Sequence, residues 1–159
     1  MNLYLRFTKL SRGDKVNSIE LSEMGFSVWY PLNKPSLEKV PNEIGIYVFR
    51  KVGAKVFGRL KGDSDILYIG STEKGLRNRI RQYLSPGQTQ WTNKRVNNYA
   101  NRNPIEFSFL VNFEPKTLEY KLLIKYMSEH EELPPLNFSS VRTLHKNIAD
   151  NGIGKDKWS

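Results

Sequence analysis

Residues 45–50, GIYVFR, and residues 67–71, LYIGS, are the two stretches on which the reading of this chain turns. In the first, Ile44, Ile46 and Val48 alternate with Tyr47 and Phe49, so both faces of an extended segment are apolar. A strand covered on one side only alternates apolar with polar. Apolar residues on both faces predict a central strand with helices on each side. Ile66 to Ser71 predicts a second strand of the same kind. Each segment carries a tyrosine beside a glycine. Gly45 and Gly70 read as places where the backbone must come close to a neighbour.

Outward from these strands, residues 52–65 carry three glycines and end in a turn signal, which predicts a loop or a long hairpin connection. Residues 105–112, IEFSFLVN, alternate as a third strand, with Ile105, Phe107, Phe109 and Val111 on one side. Three helices are expected. Gly75 to Leu84 places Leu76, Ile80, Tyr83 and Leu84 on one stripe. Thr89 to about Asn101 is polar and basic, with Trp91, Val96 and Tyr99 as its apolar anchors. Lys116 to about Glu129 turns Leu118, Leu122, Leu123, Tyr126 and Met127 inward, with Pro115 at a first-turn position and Pro134 and Pro135 as the stop. A short last helix is expected near residues 140–150, followed by a loose tail. The order strand, strand, helix, helix, strand, helix makes an α+β fold, a small antiparallel three-stranded sheet covered by helices. Residues 1–40, with SVWYPLNKP as an extended piece, read as an N-terminal extension packed on a core of residues 41–138. Residues 139–159 form a C-terminal tail.

The chain has 159 residues, enough for one domain with a real core. No run of about 18 apolar residues predicts a membrane span, so no membrane partner is expected. Cysteine is absent. That removes disulfides, thiolate metal sites and a cysteine nucleophile, and fits a cytoplasmic or other intracellular protein. The net charge is +9. The positive residues concentrate between Lys74 and Ile105, which hold Lys74, Arg77, Arg79, Arg81, Lys94, Arg95 and Arg102 with no Asp or Glu. A merely solvated surface is the plain reading of such a stretch. A nucleic-acid-binding face is the sharper one.

Singly, the two tyrosine strands mean core. In order, GIY at 45–47, YIG at 68–70, LRNR at 76–79, LEYKLL at 118–123 and PPLN at 134–137 form a set. The set resembles the GIY-YIG nuclease superfamily over about residues 44–137. The resemblance implies a metal-dependent endonuclease that hydrolyses phosphodiester bonds of DNA, with Mg²⁺ or Mn²⁺ as cofactor. It implies Tyr47 and Tyr68 as the paired tyrosines and Arg79 as the phosphate-facing arginine. One extra residue near Lys74 and Gly75 favours Arg79 over Arg77. Tyr83 stands one turn later, Glu119 is the metal ligand, and Asn137 closes the motif. A lysine often found just after YIG is Ser71 here.

The residue types suit the chemistry. A single carboxylate is enough for Mg²⁺, which keeps its waters. Arg79 offers a planar, permanently charged fork to a phosphate. Tyrosine has an ordinary pKa of ~10. As a base, Tyr47 must be tuned by Arg79 and the metal, or else it only orients the water. Tyr68 would assist it. Lys74, Arg77, Arg81, Lys94, Arg95 and Arg102 are the expected backbone-phosphate contacts. Trp91 is read as a packing anchor in preference to a base wedge, and His130 and His145 as surface or structural. Two other functions compete: a nucleic-acid-binding module that does not cut, and a nuclease acting on RNA. The oligomeric state is open, with a dimer allowed.

Overall fold

The computed structural model describes residues 15–88 and 90–137. The expected helix at 140–150, the tail and His145 lie outside the described residues. Helix α1 (Ser18–Glu23) leads to a two-residue strand β1 (Tyr30–Pro31). Strands β2 (Gly45–Lys51), β3 (Phe57–Gly58), β4 (Asp63–Ser64) and β5 (Ile66–Thr72) follow. Helices α2 (Leu76–Leu84) and α3 (Trp91–Arg102), strand β6 (Ile105–Val111) and helix α4 (Pro115–His130) come next, and short 3-10 turns lie at Pro35–Lys39 and Val52–Ala54. The main sheet is antiparallel with order β1-β6-β2-β5.

The α+β architecture and the three long strands are those expected. The sheet gains a fourth strand, because the N-terminal extension adds β1 to the edge of β6. Pro31 suits that place, since an edge strand tolerates a residue without an N–H. Ser27 continues the attachment: its amide donates to the Phe109 carbonyl at 2.8 Å, and its hydroxyl lies 3.2 Å from that of Ser108. The 52–65 connection holds its own small hairpin, β3 with β4.

β2 lies at the centre, as its two apolar faces require. Ile46 and Val48 face one core, closed by Leu118, Leu122, Leu123 and Tyr126 of α4 with Val16, Leu21 and Phe26 of the N-terminal segment. Tyr47 and Phe49 face a second core, closed by Leu76, Ile80 and Tyr83 of α2 and Val96 of α3. Between Phe49 and Arg50 the pairing with β5 shifts from Tyr68 to Ile66, leaving Leu67 as a bulge. His130 is buried and structural. Its Nδ1 lies 2.8 Å from the Lys61 carbonyl, and its ring packs on Tyr126. No helix of the described residues is long and apolar enough to cross a membrane.

The α4 face carries much of the stability. Leu122 is fully buried there. Leu122→Ala is expected to cost about 2–5 kcal/mol in denaturant unfolding. A loss below ~1 kcal/mol would mean that this face is not packed as described.

Candidate active site

Tyr47 stands opposite Gly70 across the β2–β5 pair. A Cβ on Gly70 would lie 2.6 Å from the Tyr47 hydroxyl and 2.6 Å from the Tyr68 ring. Only glycine leaves room for Tyr47 to lay its ring across β5. Gly45 meets the same kind of limit, with the Leu110 carbonyl 2.4 Å from where its Cβ would sit. Both glycines answer to close approach, as the sequence suggested.

Around Gly70, four aromatic rings close up. Tyr47, Phe49, Tyr68 and Tyr83 have ring centroids 4.9–6.1 Å apart, in stacked, tilted and edge contacts. The Tyr47 and Tyr83 hydroxyls share a 2.7 Å hydrogen bond. Arg79 Nε donates to the Tyr47 hydroxyl at 3.0 Å, and its Nη1 donates to Gln82 Oε1 at 2.7 Å. Its guanidinium also lies 5.2 Å from the Tyr83 ring centre. Arg79, Gln82 and Tyr83 share one helix at spacings of three and four, which brings them to the same side. The guanidinium is therefore held by three groups and stays half-buried.

Glu119 arrives from the opposite face of the sheet, on α4. It reaches the same edge strand, where Ser71 Oγ donates to its Oε2. Strand alternation explains this. Gly70 and Tyr68 turn toward α2, and Ser71 turns toward α4. The site thus straddles β5, with the tyrosines and Arg79 on one side and the carboxylate on the other. Asn137 completes it from outside the edge. Its side-chain oxygen accepts from the Ile69 amide at 3.0 Å, and its side-chain nitrogen donates to the Ile69 carbonyl at 2.9 Å.

The electrostatics follow from burial. Tyr47 is fully buried, and burial holds its hydroxyl well above the ordinary tyrosine range. The nearby Tyr68 adds to this, and Arg79 only partly offsets it. Tyr83 is raised in the same way, and Tyr68 less so. Partial burial pulls the Arg79 guanidinium down, but the Tyr47 and Tyr83 oxygens outweigh it, so it remains charged. Glu119 is raised above the usual carboxylate value by burial. The Ser71 hydrogen bond and the charges of Arg79 and Lys116 pull the other way.

A family model for the GIY-YIG catalytic domain matches residues 43–131, more than half of the chain. The chain belongs to the GIY-YIG family. That family is one of nucleases, and the α+β fold just described is consistent with it. No curated protein and no solved structure matches the chain.

Within this GIY-YIG domain, Tyr47, Tyr68, Tyr83, Arg79 and Glu119 come together. Asn137 joins them through the backbone of β5, with both ends of its amide taken. The expected phosphate contacts spread more widely. Lys74 and Arg81 are exposed near α2, and Arg102 is exposed at the far end of α3. Arg77 is half-buried, and its Nε donates to the Val40 carbonyl at 2.8 Å. Lys94 reaches back to the Gln88 carbonyl, and Arg95 donates to the Pro135 carbonyl at 2.9 Å. Trp91 corrects the sequence reading. It is 78% exposed, so it anchors no core. The residues that packing assigns but sequence passed over are Ser71 and Gln82. Their signals were β-alternation beside YIG and a three-residue helix spacing from Arg79.

A divalent metal would be held at Glu119. The donors there are hard oxygens, the carboxylate and the Ser71 hydroxyl. No cluster of three or more His, Cys, Asp or Glu forms a closed cage among the described residues. One carboxylate with open positions suits Mg²⁺ or Mn²⁺.

The raised Glu119 carboxyl has a consequence for stability. Its folded value lies above its unfolded one, so the native state holds the proton more tightly. Its contribution to stability is present at low pH and is lost as pH rises through the folded value. Above that value, and without metal, burial of the carboxylate opposes folding. Glu119→Gln is expected to raise Tm in chelator at pH 7–8, each ~1 kcal/mol appearing as about 2–4 °C. The difference should shrink as the pH falls toward ~4. A lower Tm for the variant at neutral pH would contradict the burial argument.

Proposed function

We propose that this GIY-YIG protein is an endonuclease that hydrolyses phosphodiester bonds in DNA with the help of one divalent metal. The observation that carries the reading is the convergence on β5 of a charged, pre-held arginine and a half-buried carboxylate from opposite faces. Hydrolysis of a phosphodiester needs positive charge on the phosphoryl oxygens, a water nucleophile and relief of charge on the leaving oxygen. Arg79 supplies the first. Its fork is oriented before substrate arrives, so little reorganisation is left for the reaction. When bound at Glu119, Mg²⁺ or Mn²⁺ would supply an acidified water and charge neutralisation. Glu119 and Ser71 hold that position.

Tyr47 fits a positioning role better than that of a free base. It is closed off from solvent, its hydroxyl is occupied by Arg79 and Tyr83, and burial opposes its ionisation. We assign Tyr47 and Tyr83 to holding Arg79, and Tyr68, which keeps a little exposure, to the phosphate side of the site. Asn137 holds Ile69, and so keeps Tyr68 and Gly70 in place on either side of it. Lys74, Arg77, Arg81, Lys94, Arg95 and Arg102 supply the basic surface that faces the nucleic acid. Residues 41–138 act as the nuclease unit, and residues 1–40 serve as its extension, packed on it through Val16, Leu21, Leu37 and Val40.

A supercoiled-plasmid nicking assay with Mg²⁺ or Mn²⁺ tests the reading. Arg79→Ala is expected to slow nicking about 10²–10³-fold, and Glu119→Ala or added chelator to abolish it. Undiminished activity of Glu119→Ala would sink the single-carboxylate scheme. Tyr47→Phe is expected to lose a similar factor evenly across pH. A loss that grows with pH, with the rising limb of the pH profile gone, would restore Tyr47 as the base.

A further inference from the structure

The outer face of α3 sets two of these arginines beside Trp91 and Asn98, which have no part in the reaction proposed above. Trp91, Arg95, Asn98 and Arg102 are all exposed. Their spacing is i, i+4, i+7 and i+11. At 3.6 residues per turn they fall within an arc of about 60°, on a stripe roughly 16 Å long. The opposite side of the helix buries Asn93 and Val96. The helix contains no acid, and none occurs from residue 74 to residue 105. Arginine and asparagine are the side chains that make bidentate contacts to guanine and adenine edges in the major groove.

The stripe is also rigidly tied to the site. Arg95 donates to the Pro135 carbonyl, two residues before the Asn137 that clasps β5. On the other side of α3, Asn97 Nδ2 donates to the Tyr83 carbonyl at 2.9 Å. Whatever α3 touches is therefore fixed relative to Arg79 and Tyr68.

We propose that α3 is the recognition helix of this nuclease: it lies in the major groove of duplex DNA, Asn98 and Arg102 read base edges, and Trp91 packs against the groove wall at its end. The inference rests on the nucleic-acid substrate argued above and adds sequence selectivity to it. The partner is DNA, because the major groove of an RNA duplex is too narrow to admit a helix. Basic side chains alone would also serve phosphate binding. What separates the two is Asn98, a neutral residue in the middle of the stripe, and the exposed Trp91, which carries no charge to a phosphate.

The test reads binding, so it is independent of cutting. The full chain carrying Glu119→Gln is incubated with a random duplex DNA pool, and the bound fraction is sequenced. A short preferred motif is expected. Asn98→Ala and Arg102→Ala should each erase preference at one or two adjacent positions, with a loss of roughly 10- to 100-fold in discrimination there. Arg102→Lys keeps the charge but not the fork. It should lose the same discrimination while non-specific affinity holds. Lys74→Ala on α2's side should instead weaken all sequences alike and lower the salt slope by about one. Melting curves of the α3 variants check that the helix still folds. No motif, a motif unchanged in both α3 variants, or tighter binding of duplex RNA than of any DNA would each overturn the proposal. A clear motif in a protein that fails to nick plasmid would leave the recognition helix standing and remove the nuclease reading.

Discussion

The ring of Tyr47 can lie across β5 only because Gly70 has no side chain. That clearance is the constraint from which the rest of the site follows. With the ring in place, its hydroxyl reaches Tyr83 and receives Arg79, and the arginine is fixed in a half-buried position with no salt bridge to an acid among the described residues. A guanidinium held by phenols and not by a carboxylate keeps its charge available for the phosphate contact proposed for it. An ion pair at that place would already have neutralised it. The cost is three buried hydroxyls. They are tolerable because two of them satisfy each other and all three sit in an aromatic cluster that contributes its own packing.

The second constraint is the placement of the site on an edge strand. In a sheet interior, side chains of opposite faces are separated by the sheet itself. At an edge they can approach around the strand. β5 exploits this, with Gly70 opening the edge and Ser71 turning to meet Glu119. The helix that brings the carboxylate, α4, is also the main cover of one core, so the position of Glu119 is set by Leu118 and Leu122 beside it. The family resemblance of the motifs and the packing of the core are two readings of the same residues.

Much of this was legible in the sequence. The central strand announced itself through apolar residues on both faces, and α4 through its leucine spacing and Pro115. The helix bounds came within a residue or two, where caps are local. What was not legible had physical reasons. β1, β3 and β4 are two residues each, too short for any period to appear, and their pairing depends on partners far away in sequence. Trp91 was read as an anchor because it is aromatic. Yet it lies five residues from the buried Val96, which puts it about 140° round the helix, and that angle predicts exposure. The raised pKa of Tyr47 could not be read, because it depends on complete burial by α2, which no local pattern reports. Ser71 looked like a missing lysine, and only its contact with Glu119 gives it a place.

The clasp of Asn137 on Ile69 has an effect beyond holding the site. An edge strand presents unpaired amides and carbonyls, and it invites another chain to extend the sheet. Here the Asn137 side chain occupies both backbone groups of Ile69, and the Leu136 amide takes the Leu67 carbonyl. One short turn thus imitates the next strand along this stretch. Two copies of the protein cannot join by adding their sheets together along this stretch of β5. If both strands of a duplex are to be cut, the second site must be brought by some other surface, or by a second binding event.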